Sequence, residues 1–131
     1  MEKLETVCLD TDVIINFLRN KSPDGAYVES LDSSASITII SLFELYFGAY
    51  KSGRIENLSA VKSLEEHLKI LPLTPDIARI AGEVLAMLQQ KGEQMEFRDL
   101  LIGIIVRENN CVLKTNNLKH FRKVPGLRLV E

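Results

Sequence analysis

Short apolar or β-branched runs alternate in this chain with longer stretches whose apolar positions recur at helical spacing. Thr6–Leu9 is a short apolar run that reads as a first strand. From Thr11 or Asp12 to about Arg19, Val13, Ile14, Phe17 and Leu18 fall on one helical face. Ser22-Pro23-Asp24 predicts a cap with proline in the first helical turn, opening a second short helix to about Leu31. Ala35–Ile40 is β-branched and reads as a second strand. Ser41-Leu42-Phe43-Glu44 then opens a helix through about Ser52, which Gly53 stops. A further helix spans about Ile55 to His67, and Lys69–Leu73 is a third strand. Thr74-Pro75-Asp76 starts a long amphipathic helix to Lys91, ended by Gly92. Phe97–Glu108 is apolar on nearly all sides, the mark of a buried helix. Cys111–Lys114 and Leu127–Val130 complete the strands, and Asn20–Gly25 and Lys114–Pro125 read as the richest loops.

Strands alternating with helices predict an α/β/α sandwich, with a mostly parallel sheet of about five strands covered on both faces. At 131 residues the chain is long enough for one domain with one core, and residues 1–131 are read as that domain. Nothing reaches the roughly 18 consecutive apolar residues that a membrane helix needs. Met1-Glu2-Lys3-Leu4-Glu5 is too acidic for a signal peptide, so a cytoplasmic location is expected. Cys8 and Cys111 lie in strand-like runs and read as buried, reduced thiols. A net charge of −2 argues against a broad nucleic-acid-binding face, but not against nucleic acid held locally at a metal site.

The chemistry concentrates where strands hand over to helices. Asp10 ends the first strand, Glu44 lies four residues past the second, and Asp99 lies at the start of the buried helix. Asn117 follows the fourth strand in Lys114-Thr115-Asn116-Asn117. In a parallel sheet these positions share one edge, the edge where ligands bind. Each has an ordinary explanation. Ser41-x-x-Glu44 is a capping box, Asp99 suits a helix N-terminus, and Asn117 suits a turn. Asp10 could cap the next helix, although Thr11 and Asp12 are better placed. Taken together, three acids at three junctions fit a hard divalent cation better than three separate caps. Lys114, Lys119, His120, Arg122 and Lys123 form the densest basic run, which is either a solvated turn or a set of phosphate contacts. A receiver-like, Mg²⁺-binding signalling domain is a rival, but it needs paired acids after the first strand and an aspartate ending the third. Here the third strand runs into a helix cap, Thr74-Pro75-Asp76. No glycine-rich phosphate loop follows the first strand.

Four motifs in order carry a resemblance. Leu9-Asp10-Thr11 resembles the opening of PIN-domain nucleases, and Ile40-Ser41-Leu42-Phe43-Glu44-Leu45 with Tyr46-Phe47-Gly48-Ala49 resembles their second acidic motif. Arg98-Asp99-Leu100-Leu101-Ile102 resembles the third. Leu113 to Asn117, Lys119-His120-Phe121 and Val124-Pro125-Gly126-Leu127 are similar to the C-terminal signature of VapC-type toxins. The resemblance implies a Mg²⁺- or Mn²⁺-dependent ribonuclease, the toxin of a toxin–antitoxin pair. It implies Asp10, Asp99 and Glu44 as metal ligands, Thr115 and Asn117 as further catalytic positions, and Lys114, Lys119 and Arg122 as substrate contacts. It also implies a homodimer silenced by a VapB-like antitoxin. Leu42, Phe43, Leu45, Tyr46, Phe47 and Tyr50 fit that implication, being too many large apolar groups for one helix to bury. The long helix adds Ile77, Ile80, Ala81, Val84, Leu85 and Leu88, mostly as core. Two departures stand out. Many PIN domains have aspartate where this chain has Asn117, and Asp12 stands where a neutral polar residue is common; Asp12 is read here as a helix cap. A catalytically weak PIN-fold interaction module is therefore the alternative.

Overall fold

The structure, a computed structural model, describes residues 5–31 and 35–131. The N-terminal stretch Met1–Leu4, on which part of the signal-peptide argument rests, lies outside them. In chain order the elements are β1 (Val7–Leu9), α1 (Thr11–Leu18), α2 (Asp24–Ser30), β2 (Ser36–Thr38), α3 (Ile39–Ser52), α4 (Ile55–His67) and β3 (Lys69–Leu71). Then follow α5 (Pro75–Gln90), α6 (Phe97–Glu108), β4 (Val112–Lys114), α7 (Leu118–Phe121) and β5 (Arg128–Leu129). The strands form one parallel sheet in the order β3-β2-β1-β4-β5. That order excludes the 2-1-3-4-5 winding of a receiver domain.

Successive strand residues point to opposite faces, and each face has its own core. Cys8, Leu71 and Leu113 pack with Ile77, Ala81, Val84 and Leu88 of α5 and with the buried body of α6. Leu9 and Ile37 pack with Val13 and Ile14 of α1, Leu42, Leu45 and Ala49 of α3, and Val61 of α4. Helices therefore cover both sides, as a parallel sheet requires. Both cysteines are buried and free, and burial pushes the Cys8 thiol up to about 12.

Several boundaries differ from those the pattern predicts. The second strand stops at Thr38, not Ile40, because Thr38 is itself the cap of α3: its Oγ1 accepts the Ser41 N–H at 3.1 Å. A β-branched run carries no mark of where extended backbone turns into helix. Ser22 does not cap α2. Pro23 holds the N-cap position without a side-chain hydrogen bond, and Asp24 is turned inward instead. Within Lys114–Pro125, read as loop, lies α7, at four residues too short to show a period. The positive φ values of Gly53 and Gly92, 68° and 75°, match the expected stops of α3 and α5.

Candidate metal centre

Strand order reverses between β1 and β4, and a crevice opens beyond the carboxyl ends of strands at such a point. Asp10 leaves β1 there, its N–H donating to the Lys114 carbonyl at 2.9 Å. It caps α1 with Oδ1, which accepts the Thr11 N–H at 2.9 Å, while Oδ2 accepts the Thr115 hydroxyl from the end of β4 at 2.7 Å. Asp10 is only 7% exposed. Burial, reinforced by the nearby negative charges of Asp12 and Asp99, pushes its carboxyl up to about 7 against the opposing hydrogen bonds from Thr115 and Thr11.

The cap assignments at the other two acids separate capping from the rest of their chemistry. Since Thr38 caps α3, Glu44 lies in the second turn, not the first, and the capping-box explanation falls away. Its Oε1 sits 2.8 Å from the Thr11 hydroxyl, which also lies 2.9 Å from Ser41 Oγ. A hydroxyl has one proton, so Thr11 donates to Glu44 and accepts from Ser41. At α6, Glu96 is the cap, accepting from the Arg98 and Asp99 amides at 3.1 and 3.4 Å. Asp99 is thereby left free of that task. Its neighbourhood is less apolar than the sequence predicts: the side chain is 31% exposed and Oδ2 lies 3.1 Å from His120 Nε2. Burial still raises its pKa, with His120 the main opposing influence.

Asp12 does not cap α1, because Asp10 does. Its Oδ1 is buried and has no hydrogen-bond partner. An acceptor in that state needs a donor or a cation. The donors gathered at this edge are carboxylate oxygens, the ligand type that hard divalent ions take. The residues therefore fit such an ion. Among the described residues, no three acidic, histidine or cysteine side chains already close on one point. The acids are held apart on separate partners, Asp10 on Thr115, Glu44 on Thr11 and Asp99 on His120, an arrangement that lowers their mutual repulsion.

Residues 7–127 match the family model of the PIN domain. Ribonuclease VapC2 of Rickettsia felis is 35% identical over 92% of this chain and 93% of its own length. The tRNA(fMet)-specific endonuclease VapC of Salmonella typhimurium is 32% identical over the same shares, 92% and 93%. Among solved structures, the DNA-bound VapBC of Salmonella typhimurium superposes with a TM-score of 0.86 at 28% identity, covering 97% of this chain and 98% of that one. This chain belongs to the VapC family of PIN-domain proteins.

The basic run that resembles the VapC C-terminal signature does not converge as a unit. The Lys114 ammonium lies 4.9 Å from the centroid of the Tyr27 ring, Arg122 pairs with Glu131, and Lys123 donates to the Gln94 carbonyl at 2.9 Å. Lys119 is exposed and makes no ion pair among the described residues. Asn117 is exposed at the N-cap of α7 with no side-chain cap bond, while its amide N–H donates to Thr115 Oγ1 at 3.0 Å. Sequence reasoning missed Arg98. It is bonded to Glu96 at 2.9 Å, and the charges of Glu44 and Asp99 add to that bond in favouring its protonated form. Its place beside Asp99 was the available signal. A cleft of about 800 Å³ opens next to His120, lined also by Gln89, Gln94, Met95 and Lys123.

Proposed function

We propose that this VapC-family chain hydrolyses RNA phosphodiester bonds with a divalent ion, Mg²⁺ or Mn²⁺, as the toxin of a toxin–antitoxin pair. The observation that supports the proposal is that Asp10, Glu44 and Asp99 all lie at strand-to-helix junctions on one edge of the sheet, with only Asp10 used as a cap. Asp10 and Asp99 would hold the ion directly, with Glu44 close by, and the orphaned Asp12 oxygen lends further negative potential. The ion, when bound, acidifies water and offsets charge on the scissile phosphate. Thr115 fixes the orientation of Asp10, Thr11 aims Glu44, and His120 steadies Asp99. Asn117, neutral, is available to substrate or to water. Lys119 is the first choice for phosphate contact; Lys114 and Arg122 would follow by leaving Tyr27 and Glu131. The test is cleavage of RNA by the purified protein. EDTA should abolish it and Mg²⁺ or Mn²⁺ restore it, whereas full-rate cleavage in EDTA would overturn the metal mechanism.

The same reading includes a VapB-like antitoxin, a homodimer and a cytoplasmic setting. Phe43, Phe47, Tyr50 and Ile55 are 60–74% exposed, an unusual amount of aromatic and aliphatic surface for two adjoining helices. Beside them a groove of about 230 Å³ runs between α1, α3 and α4, with Glu44 at its wall among Ile15, Leu18, Leu45 and Val61. Light scattering should give a dimer, and a co-encoded antitoxin should block cleavage. Among the described residues no helix is long and apolar enough to cross a membrane.

A further inference from the structure

We propose that α2 braces the loop that follows β4, and that Asp24 is the positioning residue through which it does so. The inference rests on the ribonuclease reading for its activity arm only. Asp24 is 4% exposed, and among the described residues it has no basic partner within ion-pair distance. Two neutral amides reach its Oδ2 instead, Asn16 Nδ2 from α1 at 2.8 Å and Asn116 Nδ2 from the loop at 2.6 Å. Burying a carboxylate on amides alone is costly.

What the carboxylate gains is a fixed Asn116. Its two sequence neighbours are the ones that reach the metal centre: Thr115 donates to Asp10, and the Asn117 amide donates back to the Thr115 hydroxyl. A loop pinned at residue 116 cannot swing the Thr115 hydroxyl off Asp10. The same helix makes a second contact with the same loop, since Tyr27 lies under the Lys114 ammonium. Each residue from Lys114 to Asn117 is thus held, two of them by α2. The link spans 92 residues of sequence between Asp24 and Asn116.

The test compares Asp24→Ala, Asp24→Asn, Asn116→Ala, the double alanine variant and Asn16→Ala in the full chain. Asp24→Ala and Asn116→Ala should each lower kcat for RNA cleavage about 10-fold or more with little change in KM, the size expected when support behind a metal ligand is lost. The double variant should be no worse than the worse single one, because both remove one interaction. Asp24→Asn keeps an acceptor oxygen and should recover most of the rate. Asn16→Ala removes the bond from α1 and should lower Tm while keeping kcat. Independently of activity, hydrogen exchange at the Asn117 amide should quicken in Asp24→Ala and Asn116→Ala. Asn116 is exposed, so Asn116→Ala carries the test if Asp24→Ala fails to fold. Wild-type kcat and unchanged Asn117 exchange in Asn116→Ala would overturn the brace. If the wild-type protein cleaves no RNA, the ribonuclease reading falls, and the Asn117 exchange decides the brace.

Discussion

The β1–α1 and β2–α3 junctions are neighbours at one sheet edge, and each carries an acid that capping could explain. They use that acid in opposite ways. At β1–α1 the acid is the cap: Asp10 accepts the Thr11 amide and is buried. At β2–α3 a threonine caps, and Glu44 sits one turn further on, its carboxylate on the Thr11 hydroxyl of the other junction. Thr38 shows that an uncharged side chain suffices to start a helix here. The charge at Asp10 and the placement of Glu44 therefore answer to something other than helix initiation. At the α6 start a carboxylate caps again, but it is Glu96, and Asp99 faces His120 without capping the helix.

The comparison breaks first at the acids. Asp10→Asn and Asp99→Asn should each lower RNA cleavage by ~100-fold or more with the fold intact, since each removes a charge that a divalent ion would use. Steady-state rates alongside circular dichroism check this, and near-wild-type rates in either variant would return that acid to a structural role. Glu44→Gln should also be folded and at least ~10-fold slower, the lower bound for a group close to the ion. Its Tm should barely move, because the amide oxygen that replaces the carboxylate can still accept from Thr11.

The metal-free protein offers a third cut through acid–base behaviour. The Asp10 carboxyl is raised from 3.8 to about 7 in the fold. A raised folded-state pKa gives stability that is fully present below the unfolded value and is lost as pH climbs through the folded value. Unfolding free energy in EDTA should therefore fall between about pH 4 and pH 7, by an amount on the order of a few kcal/mol at most. Asp10→Asn should flatten that slope and be the more stable protein at pH 8. Denaturant melts at pH 5 and pH 8 decide it, and equal slopes for the two proteins would contradict it. The smallest effect belongs to the other junction. Thr38→Ala should cost about 1 kcal/mol of stability, an ordinary lost cap. Its cleavage rate per folded molecule should stay close to wild type.

Much of this was legible in the sequence, for identifiable reasons. Ile55–His67 and Phe97–Glu108 match the predicted spans because the first follows the helix stop at Gly53 and the second is an apolar run too long for a strand. Asp10, Glu44 and Asp99 stood out because alternation of strands and helices alone puts strand ends and helix starts on one edge. The caps were not legible. Thr38 lies inside an uninterrupted β-branched run, and Ser41-x-x-Glu44 imitates a capping box one turn too late. The sequence favours Thr11 and Asp12 over Asp10 as the cap of α1, since all three are good capping residues and only the backbone decides among them. The basic run from Lys114 to Lys123 looked like one patch in sequence. Lys114 ends β4, Lys119 and His120 lie on α7, and Arg122 and Lys123 follow it, and Lys114, His120, Arg122 and Lys123 each have a different partner. Asp24 gave no local sign at all, since its partners are 8 and 92 residues away.

The central claim is that Asp10, Glu44 and Asp99 make one divalent-ion site. Calorimetric titration of Mn²⁺ into metal-free wild-type protein, Asp10→Asn, Asp99→Asn and Glu44→Gln tests it most directly. Saturable binding by the wild-type protein, lost in Asp10→Asn and Asp99→Asn and weakened in Glu44→Gln, is the predicted result. Equal Mn²⁺ affinity in all four proteins, or no binding by the wild type, would contradict it.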